Sequence, residues 1–147
     1  MCCSSRMFWF DKNNKNTVYC DIRSENHTLC DGRKLEIKPD VVCDFTALPF
    51  KDNSFELVVF DPPHLVTVGE NGWQFKKYGR LSNNWKTDLS EGFKEAFRVL
   101  APSGVLVFKW NETQIKTSEI LRQTPVSPLF GHISGKRANT HWITFKI

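Results

Sequence analysis

The four residues Asp61-Pro62-Pro63-His64 directly follow an apolar run at 56–60. Two successive prolines fix the backbone and remove two amide donors, so the carbonyl groups of this corner are rigid and free to accept hydrogen bonds. A carboxylate beside such a carbonyl can accept both N–H groups of an amine, and a flat ring next to them can stack on the base that carries the amine. The stretch therefore indicates a site that holds an exocyclic amino group.

Two further aspartates occupy similar places. Asp21 follows the apolar run at 17–20, and Asp44 lies near the end of the run at 41–45. In open α/β sheets ligands bind beyond the carboxyl ends of the strands, which makes Asp21, Asp44 and Asp61 candidate binding residues. Taken singly, each is more readily explained as the cap of a turn, through side-chain bonds to its own backbone. Three such residues on successive strands favour a common site.

The elements that must place these aspartates are apolar runs bounded by turn residues. Runs rich in β-branched and aromatic residues predict strands at 17–20, 41–45, 56–60, 105–110 and 142–147. Apolar residues at 89–100 recur at helical spacing, with a capping-box start at Asp88 and Glu91 and an end at Pro102-Ser103-Gly104. Strand, helix and strand in this order predict a right-handed crossover and a mostly parallel α/β sheet.

The C-terminal part of the chain has a different pattern. A second, weaker helix is predicted at 113–122, followed by strands at 128–134 and 140–147. The turn-prone, basic residues at 135–139 would join these strands in an antiparallel hairpin at one edge of the sheet. Because no repeat or low-complexity tract interrupts the chain, residues 1–147 are predicted to form a single domain.

With these motifs the sequence resembles the class I S-adenosylmethionine-dependent methyltransferases, in particular the nucleic-acid amino-methyltransferases with a D/N/S-P-P-Y/F/W motif. Residues 44–60, DFTALPFKDNSFELVVF, are similar to the family's D-x-x-x-LPF-x-D-x-SFD-x-V run. Residues 97–108, FRVLAPSGVLVF, are similar to its F-R-V-L-x-P-G-G-x-L-x-F run, and residues 18–23, VYCDIR, are weakly like the strand whose acid holds the cofactor ribose. The resemblance covers residues 17–110 and implies a Rossmann-like fold, truncated at the N-terminus, with S-adenosylmethionine as cofactor.

The resemblance also implies roles for individual residues. Asp21 would hold the ribose hydroxyls of the cofactor, and Asp44, next to Phe45, would hold its adenine amino group. The motif at 61–64, Asp61, Pro62, Pro63 and His64, would grip the target amine at the reacting centre, with Asp61 also close to the cofactor. Since a sulfonium is already a strong electrophile, catalysis would consist of orienting the amine in line with the methyl group, and it needs no metal.

Two departures from the family pattern stand out. The family's glycine-rich loop has no counterpart, because the segment at 7–12 contains no glycine. Either Asp11 and the preceding aromatic residues at 8–10 replace that loop by packing on the cofactor, or the cofactor site is incomplete; a plain edge strand explains the segment as well. The second departure is His64 in place of an aromatic ring, because an imidazole can stack, donate or titrate near neutral pH.

The segment at 65–88 separates the motif from the helix and exceeds the roughly two to six residues usual for such a connection. Its interleaved aromatic and basic side chains are the ingredients of single-strand or flipped-base binding. The predicted substrate-binding residues are Trp73, Lys76, Lys77, Tyr78, Arg80 and Trp85, together with Lys109 after the next strand. A local aromatic core under an ordinary loop explains the aromatics nearly as well, and Lys109 is equally well a surface charge.

The composition limits the class of protein and the cellular location that we expect. Of the 147 residues 40% are apolar and 24% charged, which is typical of a globular protein, and the apolar runs fall far short of the roughly 20 residues of a membrane span. Five cysteines without a CxxC pair favour reduced thiols, and the first residues lack a secretory signal, so we expect a cytoplasmic protein without membrane partners. The net charge of +4 favours an anionic partner.

The sequence thus predicts a methyltransferase that modifies an exocyclic amino group of a nucleic-acid base, with DNA adenine N6 as the preferred target. RNA, protein or small-molecule methylation by the same fold, and a catalytically inactive relative that binds nucleic acid or protein, are the alternatives. Without a separate recognition domain, sequence specificity would be low, would come from the insert at 65–88, or would need a partner. A homodimer would also cover the open cofactor end.

Overall fold

The structure, a computed structural model, describes residues 1–134 and 137–147. Within them the strands are β1 (Cys20–Asp21), β2 (Glu25–Thr28), β3 (Lys34–Ile37), β4 (Val41–Val42), β5 (Phe55–Phe60), β6 (Leu100–Asn111), β7 (Phe130–Ser134) and β8 (Thr140–Lys146). The helices are α1 (Trp73–Tyr78), α2 (Trp85–Val99) and α3 (Thr117–Ile120), and a 3-10 turn follows at Leu121–Gln123. None of the helices in this part of the chain is long and apolar enough to cross a membrane.

The main sheet has the strand order β5-β6-β8-β7, and α2 connects its two parallel strands, β5 and β6. The apolar side of α2 faces this sheet, so that Phe93 is fully buried. Its ring centroid lies 5.6 Å from that of Phe60 on β5, 4.9 Å from that of Phe108 on β6 and 6.0 Å from that of Phe145 on β8. The predicted strand-helix-strand unit is therefore confirmed, and the core lies between α2 and the sheet.

The sheet is mixed, not mostly parallel as the sequence predicted. β8 pairs antiparallel with both β6 and β7, so the predicted C-terminal hairpin is confirmed and inserts its second strand next to β6. Residues 135 and 136 of its predicted turn lie outside the described residues. The parallel pair β1–β4 and the antiparallel pair β2–β3 form separate two-stranded sheets. The mostly parallel expectation came from the continuously apolar centres of β5 and β6, and only those two strands share that pattern.

Several element boundaries differ from the predictions. Helix α2 begins at Trp85, so Asp88 lies inside its first turn and the predicted capping box at Asp88 and Glu91 is wrong. Just before the helix, Ser82 Oγ accepts from the Asn84 N–H at 3.0 Å and donates to Asp88. The predicted helix at 113–122 is reduced to α3 and the 3-10 turn, and the strand at 41–45 to β4. Helix α1 and the β2–β3 hairpin were not predicted, since β2 is polar and α1 has no buried residue.

Candidate active site

A cavity of about 570 Å³ lies at the carboxyl ends of β1, β4 and β5. Asp21, Asp44 and Asp61 all line it. Its volume falls within the range of roughly 300–1,000 Å³ that is typical of small-molecule sites. The structure therefore brings the three predicted strand-end aspartates together on one cavity, although β1 and β5 belong to different sheets.

The corner after β5 is paired with a cation from the neighbouring strand. Because Phe60 is in register with Phe108 in the parallel β5–β6 pair, the next residues, Asp61 and Lys109, lie side by side. Lys109 Nζ donates to Asp61 Oδ2 at 3.2 Å and to Oδ1 at 3.4 Å. Burial raises the pKa of Asp61 above its ordinary value of 3.8, and the Lys109 ammonium partly opposes that effect. Lys109 is thus a cavity residue and not a surface charge.

The rest of the corner is rigid and apolar. Pro62 is buried and Pro63 half-buried, and both line the cavity. The His64 ring centroid lies 5.2 Å from that of Tyr78 and 6.5 Å from that of Trp110. Burial, and secondly the charge of Lys109, lower the pKa of His64 from 6.5 to about 4. The imidazole is therefore neutral near pH 7, where it can stack or exchange hydrogen bonds but carries no charge.

Asp21 is buried, with 6% of its surface exposed, and its carboxylate is held by backbone amides. Oδ2 accepts from the Ser4 N–H at 2.8 Å and Oδ1 from the Arg23 N–H at 3.0 Å. An ionised carboxylate has about four acceptor positions, so Asp21 can accept about two further hydrogen bonds. It is suited to hold a pair of hydroxyl groups.

Asp44 lies two residues after β4 and is exposed. Its Oδ1 accepts from both the N–H and the hydroxyl of Thr46 at 2.8 Å, the turn-capping arrangement that a strand-end aspartate favours. The neighbouring Phe45 lines the same cavity and packs on Phe60, with 5.3 Å between the ring centroids. Asp44 therefore both caps its turn and faces the candidate site.

The segment at 1–8 lies against the cavity in a tight loop. Cys2, Ser4 and Arg6 have positive φ angles of 55°, 45° and 56°, a left-handed conformation that costs residues other than glycine roughly 1–3 kcal/mol each. This path directs the Ser4 amide at Asp21. Residues 7–12, for which an edge strand was one explanation, form no strand, and Phe8 is the member of the aromatic residues at 8–10 that lines the cavity. Asp11, by contrast, lies outside the cavity, where its carboxylate accepts from the Asn13 N–H at 3.0 Å.

The insert at 65–88 forms α1 over the cavity. Among the predicted substrate-binding residues, Trp73, Tyr78 and Arg80 line the cavity with Lys109. Lys76, Lys77 and Trp85 do not, and Trp85 packs against the core under α2. The insert therefore matches both interpretations, because one part covers the site and another part extends the core.

Helix α1 is attached to the other side of the cavity through its carbonyl groups. Arg23 Nη1 donates to the Lys76 carbonyl at 2.9 Å, and Ser4 Oγ donates to the Lys77 carbonyl at 2.6 Å. Gly79, with φ 73°, then turns the chain, and a Cβ there would lie 3.5 Å from Pro63. The sequence analysis missed Ser4 and Arg23, since no motif links them to an insert more than fifty residues away.

Comparisons with known proteins found structural matches but no family or curated sequence match. No protein-family model matches the chain, and no curated protein matches its sequence. The PH0226 protein from Pyrococcus horikoshii OT3 is similar in structure, with a TM-score of 0.51 at 15% identity over 72% of this chain and 57% of that protein. A SAM-dependent methyltransferase from Leishmania major has a TM-score of 0.48 at 12% identity, over 77% of this chain and 46% of that one.

The chain therefore spans little more than half of the first of these proteins and less than half of the second. At such identities a structural likeness concerns the fold and nothing finer. The similarity to the Pyrococcus horikoshii protein and the parallel β5–β6 unit with its crossover helix α2 together define an α/β, Rossmann-like fold with a mixed sheet.

Proposed function

We propose that the chain is an S-adenosylmethionine-dependent methyltransferase that acts on an exocyclic amino group of a nucleic-acid base, with DNA adenine N6 as the preferred acceptor. One observation carries the proposal: the rigid corner at 61–64 lines the same cavity as Asp21 and Asp44. The sequence resemblance assigns the cofactor to the two aspartates and the acceptor amine to the corner. A methyl donor and an amine bound there would be neighbours.

The residues on the β1–β4 side fit this cofactor. Asp21 is in register with Val42, the last residue of β4, so Asp44 lies two residues beyond the end of that adjacent strand. The free acceptor positions of Asp21 suit the two ribose hydroxyls, and the Asp44 carboxylate suits the adenine amino group. When bound, S-adenosylmethionine supplies a methyl group on a positively charged sulfonium. The carboxylates of Asp21 and Asp44 favour that charge.

The residues on the β5 side would orient the acceptor. The Asp61 carboxylate and the Pro62 carbonyl can accept the two N–H groups of an amine, which directs the nitrogen lone pair away from both. Neutral His64 and the Tyr78 ring beside it line the cavity and offer faces on which the base can stack. Positioning of this kind supplies much of the rate enhancement when the electrophile is already activated.

The mouth of the cavity favours a nucleic-acid acceptor. Trp73, Phe75 and Tyr78 of α1 and the cations Arg80 and Lys109 line the cavity. Aromatic rings can stack on a base that has left its helix, and cations can bind the adjoining phosphates. The net charge of +4 acts in the same direction.

The test is a titration of the chain with S-adenosylmethionine, followed by nucleoside mass spectrometry of DNA and RNA incubated with both. Asp61→Ala should abolish methylation and leave cofactor affinity within about threefold, because the residue holds the acceptor. Asp11→Ala, outside the cavity, is the matched control and should change neither quantity. Binding undetectable at millimolar S-adenosylmethionine would overturn the proposal, whereas methylated nucleosides in RNA alone would replace DNA by RNA.

The Asp61–Lys109 pair is the observation that favours the second candidate, an inactive relative that binds nucleic acid. Lys109 Nζ contacts both carboxylate oxygens and so competes with an incoming amine. Binding of a fluorescent single-stranded oligonucleotide without any methylation, in wild type and in Lys109→Met alike, would support this candidate. Methylation by the wild-type chain would exclude it.

A further inference from the structure

Arg23 lies at the cavity two residues after β1, and two carboxylates fix the position of its side chain. The side chain is 14% exposed, and its Nε lies 3.8 Å from Asp21 Oδ1. The same Asp21 oxygen accepts from the Arg23 N–H at 3.0 Å, and Arg23 Nη1 lies 3.8 Å from Glu25 Oε2. The guanidinium group therefore has a fixed place on the β1 side of the cavity.

From that place Arg23 reaches the C-terminal carbonyl groups of α1. Nη1 donates to the Lys76 carbonyl at 2.9 Å and to the Phe75 carbonyl at 3.4 Å, and Nη2 donates to the Lys77 carbonyl at 3.4 Å. The last carbonyl groups of a helix lack partners within it, and the planar guanidinium presents its donors in a fixed fork that can bind several of them. Because α1 has no buried residue, apolar packing contributes little to its position. The bonds from Arg23, together with the Ser4 hydroxyl at the Lys77 carbonyl, therefore determine where α1 lies.

The end of α1 also touches the corner at 61–64. A Cβ at Gly79 would lie 3.5 Å from Pro63 Cγ and 3.7 Å from Arg23 Cζ, so this glycine is packed between the corner and the guanidinium. The preceding residue, Tyr78, has its ring centroid 5.2 Å from that of His64. A displacement of α1 would therefore change the spacing between its rings and the corner.

We propose that Arg23 is a positioning residue for the acceptor: by binding the carbonyl groups of α1, it fixes the rings of that helix opposite the corner at 61–64. This inference rests on the proposed function, in which the acceptor base is held between those two elements. The position of Arg23 in the sequence, two residues after Asp21, points to the cofactor, whereas its hydrogen bonds point to the acceptor side. An error of about 1 Å in the placement of a reactant can slow a reaction about a hundredfold, so such a tether matters for turnover.

The first test compares the two substrates of the full chain in Arg23→Met. The KM for a single-stranded oligonucleotide should rise about tenfold or more, whereas the Kd of S-adenosylmethionine in calorimetry should stay within about threefold. The unchanged Kd would also show that the cavity of the variant is folded. Arg23→Lys should recover only part of the loss, because an ammonium is a point charge and cannot reproduce the fork of the guanidinium.

Arg33→Met is the matched control for these variants. Arg33 stands two residues after Asp31 in the same arrangement, with its N–H donating to Asp31 Oδ1 at 3.1 Å and its Nε to Oδ2 at 2.6 Å. It does not line the cavity, so both the KM and the Kd should match those of the wild type.

The second test needs no turnover and measures amide hydrogen exchange in the free chain. The Lys76 N–H donates to the Gly72 carbonyl and the Gly79 N–H to the Phe75 carbonyl, so both amides report on α1. Arg23→Met should accelerate their exchange about tenfold or more, because α1 loses its main attachment, and should leave the amides in the middle of α2 unchanged.

Two results would overturn the proposal. A Kd of S-adenosylmethionine that rises as much as the KM of the oligonucleotide would place Arg23 in the cofactor site. Unchanged exchange at Lys76 and Gly79 in Arg23→Met would show that other contacts hold α1. A wild-type chain that methylates no nucleic acid would remove the proposed function, and the exchange measurement would then still decide whether Arg23 positions α1.

Discussion

The two sides of the cavity are held in place by different forces. The corner at 61–64 follows β5, whose Phe60 is packed under α2 among fully buried rings of Phe93, Phe108 and Phe145. The opposite side follows β1 and β4, which are two residues long each and lie outside that cluster. Hydrogen bonds of Asp21 hold it to the loop at 1–8.

The difference indicates which side can move. Segments with few buried apolar contacts open locally at a lower free energy than core strands. We therefore expect the side of the corner at 61–64 to keep its geometry and the Asp21 side to adjust when a ligand binds. Substitutions should lower global stability on the first side and local order on the second.

The largest effect is expected from Phe93→Ala. The substitution removes a fully buried ring that contacts Phe60, Phe108 and Phe145, so the free energy of unfolding should fall by about 3–5 kcal/mol in urea denaturation. Leu57→Ala on β5, at a side chain 55% exposed, is the matched control and should change stability by about 0.5 kcal/mol or less. A loss below about 1 kcal/mol for Phe93→Ala would show that this core does not stabilise the corner.

Asp21→Ala should lower the free energy of unfolding somewhat less than Phe93→Ala does, and its effect should be local. It leaves the Ser4 and Arg23 amides without their carboxylate, and hydrogen bonds to charged groups contribute about 1.5–3 kcal/mol each in buried sites. We expect a loss of about 3 kcal/mol and faster amide exchange over residues 1–8, because solvent will replace part of each bond. Unchanged exchange there, or equal acceleration at Phe60, would contradict the separation of the two sides.

The same contrast explains what the sequence could predict. The runs that became β5, β6 and α2 are continuously apolar or periodic, and such patterns report burial directly. The corner at 61–64 was predicted as a site because it directly follows one of the most clearly predicted strands. The gathering of Asp21, Asp44 and Asp61 followed from the rule that strand ends of an α/β sheet share one side.

The polar contacts around the cavity could not be predicted in the same way. The contact between Ser4 and Lys77 joins residues 73 positions apart through one hydroxyl, and no periodicity announces it. Lys109 was undecided because its role depends on register, which pairs Phe60 with Phe108 and only then places Lys109 beside Asp61. Long-range polar contacts are properties of the folded chain and not of any local pattern.

The pH dependence of stability should test the corner at 61–64 by itself, through the protonation of His64. The pKa of folded His64 is about 4, below the 6.5 of an unfolded histidine, so its contribution to stability is complete above pH 6.5 and is lost as the pH falls towards 4. Between pH 7 and 4.5 the loss should be about 2 kcal/mol. The measurement is the difference between wild type and His64→Gln in urea denaturation at each pH, which cancels the other histidines. Parallel curves for the two proteins would show that His64 titrates normally in the folded state.

The smallest loss of stability is expected for a substitution of Asp44, which should affect ligand binding more than stability. Its carboxylate caps an exposed turn through Thr46, so Asp44→Ala should cost only about 0.5–1 kcal/mol. If Asp44 holds an amino group of the cofactor, the loss of that hydrogen bond should weaken S-adenosylmethionine binding about fivefold in calorimetry. Asp31→Ala is the matched control, because Asp31 caps an exposed turn at Arg33 in the same way but does not line the cavity. Equal affinities for the two variants would show that Asp44 serves its turn alone, and the cofactor side would then depend on Asp21.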